Sequence, residues 1–233
     1  MPPQFHEDVK RLRRCSAMSL LCGVLALMFG GLTVQGLFAG AQSRWLIVFL
    51  SGLAACVCGL LGSAKIRKSF SRNGEAYHVP LGNIDLAAIL HTFSAEEIAP
   101  DTYISFCKVG RLSARLLIQH APDFSGDDLT RRRKTANRKI NQKYRINASA
   151  PFFEVASRFR INLVVCDRMS PELQQWVSQD TDKLLSRAES IVSVAVVLDE
   201  KLLVFPACTG DVLWQDLQKY EAAARLLCNL ARL

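Results

Sequence analysis

Eight of the fifteen residues from Arg131 to Arg145 are cations (Arg131, Arg132, Arg133, Lys134, Arg138, Lys139, Lys143 and Arg145), and none is an acid. A run of that kind makes a surface for anions. Three partners compete for it: solvent alone, the anionic cytoplasmic face of a bilayer, and nucleic-acid phosphates. Each Lys or Arg held at an anionic leaflet contributes about 1 kcal/mol. Nucleic acid ranks last, because Tyr144 is the only aromatic in or beside the run and single-strand binders stack bases on several rings. From Asn73 onward there are 20 Lys/Arg against 19 Asp/Glu, and setting the eight aside leaves 12 against 19. The net charge of +8 is therefore concentrated, not general.

A second candidate lies at Cys166, Asp167 and Arg168, directly after the apolar run Ile161–Cys166. Open α/β sheets place their sites at the carboxyl ends of strands. His120 ends another predicted strand, and a thiol beside a base is the minimum for nucleophilic catalysis. Cys166, Asp167 and His120 are thus the catalytic candidates. Against them, a cysteine closing an apolar strand also fills a core, and Asp167 also suits a turn. Phe205–Asp211 links a strand to a helix start that could hold an anion, but it lacks the glycines and lysine of a phosphate loop. His78 and His91 stand alone. There is no C-x-x-C and no His/Cys cluster at ligand spacing, so neither a metal nor a cofactor is expected.

What would position these residues begins with two long apolar runs. Cys15–Ala41 carries no charge and one strongly polar side chain, Gln35; Trp45–Ala64 carries no charge; only Gln42, Ser43 and Arg44 separate them. Each reaches the ~20 residues that cross a hydrocarbon core as helix. Lys10, Arg11, Arg13 and Arg14 precede the first, and Lys65, Arg67, Lys68 and Arg72 follow the second, against Arg44 alone in the loop. That distribution predicts a transmembrane hairpin with both termini cytoplasmic, in the plasma (inner) membrane of a bacterial-type cell. Ala39-Gly40-Ala41 resembles a signal-peptide cleavage site, but the apolar stretch before it far exceeds the ~7–15 residues of a signal core. Leu53–Cys56, similar to a lipoprotein box, falls inside the second run. Small residues recur every fourth position (Gly52 and Cys56; Ala55, Gly59 and Ser63; Gly36 and Gly40), spacing that lets two helices approach closely. Packing within one hairpin is preferred to dimerisation. Without an ionisable residue in either span, a transporter or pore is the weakest of the functional classes.

The expected organisation is a basic tail over 1–14, the hairpin over 15–64 (spans 15–41 and 45–64), a juxtamembrane linker over 65–82 and a cytosolic α+β domain over 83–233. In that domain, Asn83 is expected to cap a short helix through Phe93. Ser94-Ala95-Glu96-Glu97 reads as a capping box before another helical turn. Tyr103–Val109 and Leu112–Gln119 form a hairpin around Gly110-Arg111. A basic surface helix runs from about Ser125 to Tyr144. Ile161–Cys166 is a central strand buried on both faces. Ser170 and Pro171 start a helix that buries Leu173, Trp176, Val177, Leu184, Leu185 and Ala188. Ile191–Leu198 and Leu202–Phe205 make a second hairpin, and Asp211 caps a last helix. The order ββ-α-β-α-ββ-α predicts a mixed sheet of about five strands with helices on at least one face. Cys107, Cys166, Cys208 and Cys228 are then reduced and serve as small apolar fillers.

The functional expectation is a two-pass membrane protein that presents a cytosolic binding or regulatory domain at the inner leaflet. Its partners are the lipid bilayer, anionic headgroups at the basic helix, and a protein partner or second copy. A membrane-anchored enzyme using Cys166 and Asp167 is the first alternative, and a membrane-tethered nucleic-acid-binding module the second.

Overall fold

The computed structural model describes residues 2–40, 43–73, 76–144, 158–182, 190–207 and 214–232. The chain divides into a helical unit centred on residues 6–74 and a sheet unit centred on residues 75–207 and 215–233, to which residues 1–5 also belong.

Two helices dominate the helical unit, α1 (Pro3–Phe38) and α2 (Ser43–Asn73). Both are long and apolar enough, by length and composition, to cross a bilayer. The basic stretch expected as a tail is helical from Pro3. The expected linker is likewise helical as far as Asn73, because Lys65 to Asn73 contains neither Gly nor Pro and Lys and Arg are good helix formers. Within the pair, small residues sit where the helices meet. A Cβ added at Gly52 would lie 2.9 Å from the Phe29 ring, and one at Gly59 would lie 2.7 Å from Cys22 Sγ. The Ser19 and Ser63 hydroxyls are 2.7 Å apart. Gly52, Gly59 and Ser63 all come from the four-residue rows read in the sequence.

The described residues of the sheet unit form one seven-stranded mixed sheet. Its strands are β1 (Tyr77–Pro80), β2 (Glu96–Ala99), β3 (Thr102–Val109), β4 (Leu112–His120), β5 (Arg158–Cys166), β6 (Ser190–Val197) and β7 (Leu202–Phe205), in spatial order β1-β7-β6-β5-β4-β3-β2. The expectation of about five strands missed both edges. β1 lies in the stretch read as linker and pairs antiparallel with β7. β2 replaces the helical turn expected at Glu96-Glu97 and pairs antiparallel with β3, with an irregularity between Glu97 and Ala99. Tyr-His-Val-Pro alternates but is only four residues long and ends in Pro, and Glu-Glu-Ile-Ala does not alternate, so neither announces a strand. Each exists because a neighbour offers an unpaired edge.

The interior follows the pattern read in the sequence. β3 and β4 form the expected hairpin, turning at Gly110 with φ +62°, a left-handed conformation that favours glycine. β4, β5 and β6 run parallel. Ile161, Leu163, Val164, Val165 and Cys166 of β5 are fully buried, as a strand covered on both faces requires. The parallel crossovers contain α4 (Gly126–Tyr144) and α5 (Pro171–Asp182). Both step the same way across the sheet, so right-handed connections put both helices on one face. Ile104 and Leu117 pack with Ala136 and Ile140 of α4, and Cys166, Ala195 and Val197 pack with Leu173 and Val177 of α5.

α3 (Leu86–Thr92) and α6 (Trp214–Leu227) cover the opposite face. The Ser105 hydroxyl donates to the Phe93 carbonyl just after α3, and Tyr220 of α6 meets Phe205 of β7 at 4.8 Å between ring centroids. Phe5 joins this aromatic group, 5.4 Å from Tyr77 and 5.5 Å from Tyr220. Asp85, not Asn83, caps α3, accepting from the Ala88 N–H at 2.7 Å. Ser170 caps α5 as expected, accepting from the Leu173 N–H at 3.0 Å. The expectations for Leu184, Leu185, Ala188, Cys208 and Asp211 fall outside the described residues.

Candidate functional site

Strand register decides whether Cys166, Asp167 and His120 meet. On neighbouring strands, register partners project from the same face and successive residues from opposite faces. His120 is the partner of Val165, so its side chain leaves the face opposite that of Cys166. Cys166 has no exposed surface and sits in the cluster with Leu173 and Val177, its Sγ 3.6 Å from the Val196 carbonyl. Burial, helped by the Glu200 and Asp167 charges, pushes this thiol up to about 12. A thiol held protonated and enclosed is not a nucleophile. His120 Nδ1 lies 3.6 Å from Asp101 Oδ1. Asp167 is engaged through its backbone, its N–H donating to the Pro122 carbonyl at 3.3 Å. The three side chains do not form one constellation. Among the described residues, no group of three His, Cys, Asp or Glu side chains could hold a metal ion.

The basic segment is sorted by its helix. Asp127 and Asp128 occupy the first turn of α4, and the Gly126 N–H donates to Glu172 Oε1 at 3.2 Å, so acids stand at the positive end of the dipole. Leu129, Ala136 and Ile140 are buried, which fixes the rotation of the helix. Several cations consequently point at the protein. Arg132 donates through Nε to Asp128 at 2.6 Å and through Nη1 to the His120 carbonyl at 3.1 Å. Lys139 donates to the Ile98 carbonyl at 3.2 Å. Lys143 pairs with Glu96, which also accepts from the Tyr144 hydroxyl at 2.9 Å. The hydrogen bonds from Lys143 and Tyr144, and the Lys143 charge, hold the Glu96 carboxyl below its usual 4.5. Arg133 is half-buried and engaged as well. Arg145 lies outside the described residues.

Arg131, Lys134 and Arg138 remain. All three are exposed, and no described partner holds any of them. Their spacing of three and then four residues sets them on one stripe of the helix. Of the seven cations of this run in the described residues, three are thus left exposed without a described partner. The surface they offer is narrow, because the other contacts tie cations to β2 and β4.

Sequence reasoning missed a polar row under α4 and α5, built on the buried Arg115, Asn162 and Ser193 and the half-buried Arg160. A signal was present: Arg160 and Asn162 alternate with Phe159, Ile161 and Leu163, a period of two that sends the polar pair to a single face. What could not be read was that this face is covered. Compared with known proteins, the chain matches no family model, no curated protein and no solved structure.

Proposed function

We propose that this chain is a two-pass membrane protein whose cytosolic α+β domain binds at the inner leaflet, with Arg131, Lys134 and Arg138 of α4 as the residues that meet anionic headgroups. The observation that carries the reading is this cation stripe, left without a described partner on a chain that also holds two helices long and apolar enough to cross a bilayer.

Exposure supports the membrane part. Only 11% of each apolar window is buried, and Leu27 and Phe38 are 80% and 91% exposed. A soluble core helix hides such side chains, and a contiguous apolar surface of this kind calls for lipid or a partner. The flanking cations support cytoplasmic termini. The packing of Phe5 among Tyr77, Phe205 and Tyr220 favours the start of the chain and the sheet domain sharing one side. Tethering supports the binding part: a domain held close to lipid binds it as an intramolecular event, so three modest contacts suffice.

The test uses the full chain in nanodiscs of neutral lipid or of neutral lipid mixed with phosphatidylserine. Lysines are acylated with an uncharged reagent, and the modified sites are quantified by mass spectrometry. Lys134 is expected to lose reactivity in the anionic discs relative to Lys139 and Lys143, and to recover it at high salt. Equal Lys134 reactivity in both discs would refute leaflet docking. The enzyme reading, with Cys166 as nucleophile, has less support, since its thiol is enclosed and its proposed base leaves the other face of the sheet.

A further inference from the structure

We propose that the tip of the β3–β4 hairpin inserts into the anionic leaflet, with Phe106 sunk below the headgroups and Lys108 and Arg111 among them. The inference rests on the leaflet-docking reading and adds to it a second contact, made by other residues.

Among the described residues outside α1 and α2, Phe106 is the only large apolar side chain that is exposed, at 54%. One such side chain is ordinary by itself. Its setting is what points to lipid. Phe106 shares a face of β3 with Ile104, which packs on α4. Its ring meets that of Tyr144 edge-on, 4.9 Å between centroids, which holds it beside the last turn of α4. Lys108, two residues on, leaves the same face. The chain then turns through Gly110 and Arg111, between the half-buried Val109 and Leu112. Lys108 and Arg111 are exposed and have no described partner. No acid occurs between Asp101 and Asp123. An apolar tip ringed by cations complements an anionic leaflet: the ring enters the acyl boundary while Lys and Arg keep their charged ends at the phosphates. A second copy fits less well, since pairing two such tips would bring cations together with no acid between them.

Topology puts this tip at a particular end of the sheet. β1 is antiparallel to β7, and β7 to β6, so β1 runs parallel with β4, β5 and β6. All four strands therefore begin at the end where β3 turns into β4. Only residues 74–76 separate Asn73, the end of α2, from Tyr77, the start of β1. Phe5, in the first turn of α1, packs on Tyr77 and Phe205 at that end too. Both connections to the apolar helices thus leave the sheet from the end that carries the hairpin tip. Five strand spacings separate β1 from β3, about 24 Å. A hairpin tethered at that range meets lipid as an intramolecular event.

The experiment places Phe106→Trp in the full chain, in nanodiscs of neutral lipid or of neutral lipid mixed with phosphatidylserine. The neutral lipid is brominated high on one acyl chain. Emission is read as the difference from wild type, which cancels Trp45, Trp176 and Trp214. In the anionic discs the added indole is expected to shift to the blue and to be quenched by bromine, and in the neutral discs to do so far less. Adding Lys108→Gln and Arg111→Gln should move the balance about 30-fold toward the free tip and restore the emission. In the wild-type chain, acylation of Lys108 should fall in the anionic discs, a readout that does not depend on the variant's folding. An indole left unquenched in the anionic discs would overturn the proposal. If Lys134 is protected in those same discs, docking by α4 stands and insertion alone fails. A blue shift in both discs without quenching would also overturn it, in favour of a protein at the tip. So would equal Lys108 reactivity in the two discs.

Discussion

Removing Arg131 and Arg138 together, each replaced by Gln, should abolish lipid docking while leaving the fold intact. Both side chains are exposed and make no described contact, so the pair should change stability by no more than about 0.5 kcal/mol. At an anionic surface each cation contributes about 1 kcal/mol, so losing two weakens docking by about 2 kcal/mol, or about 30-fold. Lys134 lies between them on the stripe and stays as the reporter. Its acylation in phosphatidylserine nanodiscs should rise toward the rate in neutral discs. Arg132→Gln is the informative control. It removes the contacts to Asp128 and to the His120 carbonyl, which are partly exposed and together worth about 1 kcal/mol, and so lowers Tm while leaving Lys134 protected. Screening adds a second axis, since the Debye length falls from about 8 Å at physiological ionic strength to about 3 Å at 1 M. Protection of Lys134 that survives the double substitution, or that survives 1 M salt, would refute the assignment of this stripe to lipid.

Gly59→Val should loosen the α1–α2 pair, because the new Cβ would lie 2.7 Å from Cys22 Sγ, whereas a Cβ at Gly62 has nothing within 4 Å, so Gly62→Val should be milder. Overpacking of this kind costs about 1–3 kcal/mol, read as a shift in the unfolding midpoint in mixed micelles, and equal midpoints for the two variants would contradict the packing. The Glu96–Lys143 contact should show in the pH dependence of Tm. Glu96 is held below 4.5 and Lys143 above 10.5, so the contact stabilises fully between those values. It is lost as pH falls through the lowered carboxyl or rises through the raised amine. The Tm difference between wild type and Glu96→Gln should therefore shrink below pH 4.5, and a constant difference would count against the ion pair. Cys166, pushed up to about 12, carries about one thiolate in ten thousand molecules at pH 8. Iodoacetamide should leave it unmodified in the native protein and alkylate it once denatured, as read by peptide mass spectrometry.

The elements legible in the chain are those whose cause is local. Ser170 and Pro171 start α5 by capping and by a preset φ, and the β3–β4 hairpin is written in its glycine turn and flanking runs. Illegibility begins where a segment borrows its structure from a neighbour. Ser94-Ala95-Glu96-Glu97 carries a capping-box pattern, yet Ser94 adopts φ +48° and Glu96 enters a strand, because the exposed edge of β3 offers more backbone hydrogen bonds than one isolated helical turn. The candidate site behaves in the same way. The cations of α4 are plain in the sequence, but which of them are available depends on the partners that Glu96, Ile98 and Asp128 supply.

Sequence alone determined the two apolar helices, the central buried strand and the concentration of positive charge, since each follows from length, hydropathy and composition within one segment. Tertiary structure alone decided that His120 and Cys166 leave opposite faces, that Arg115 stands beside Arg160, and that Arg131, Lys134 and Arg138 stay uncovered. The physical reason is register. Shifting a strand by one residue reverses the face of every side chain on it, and register is set by pairing between segments that lie far apart along the chain.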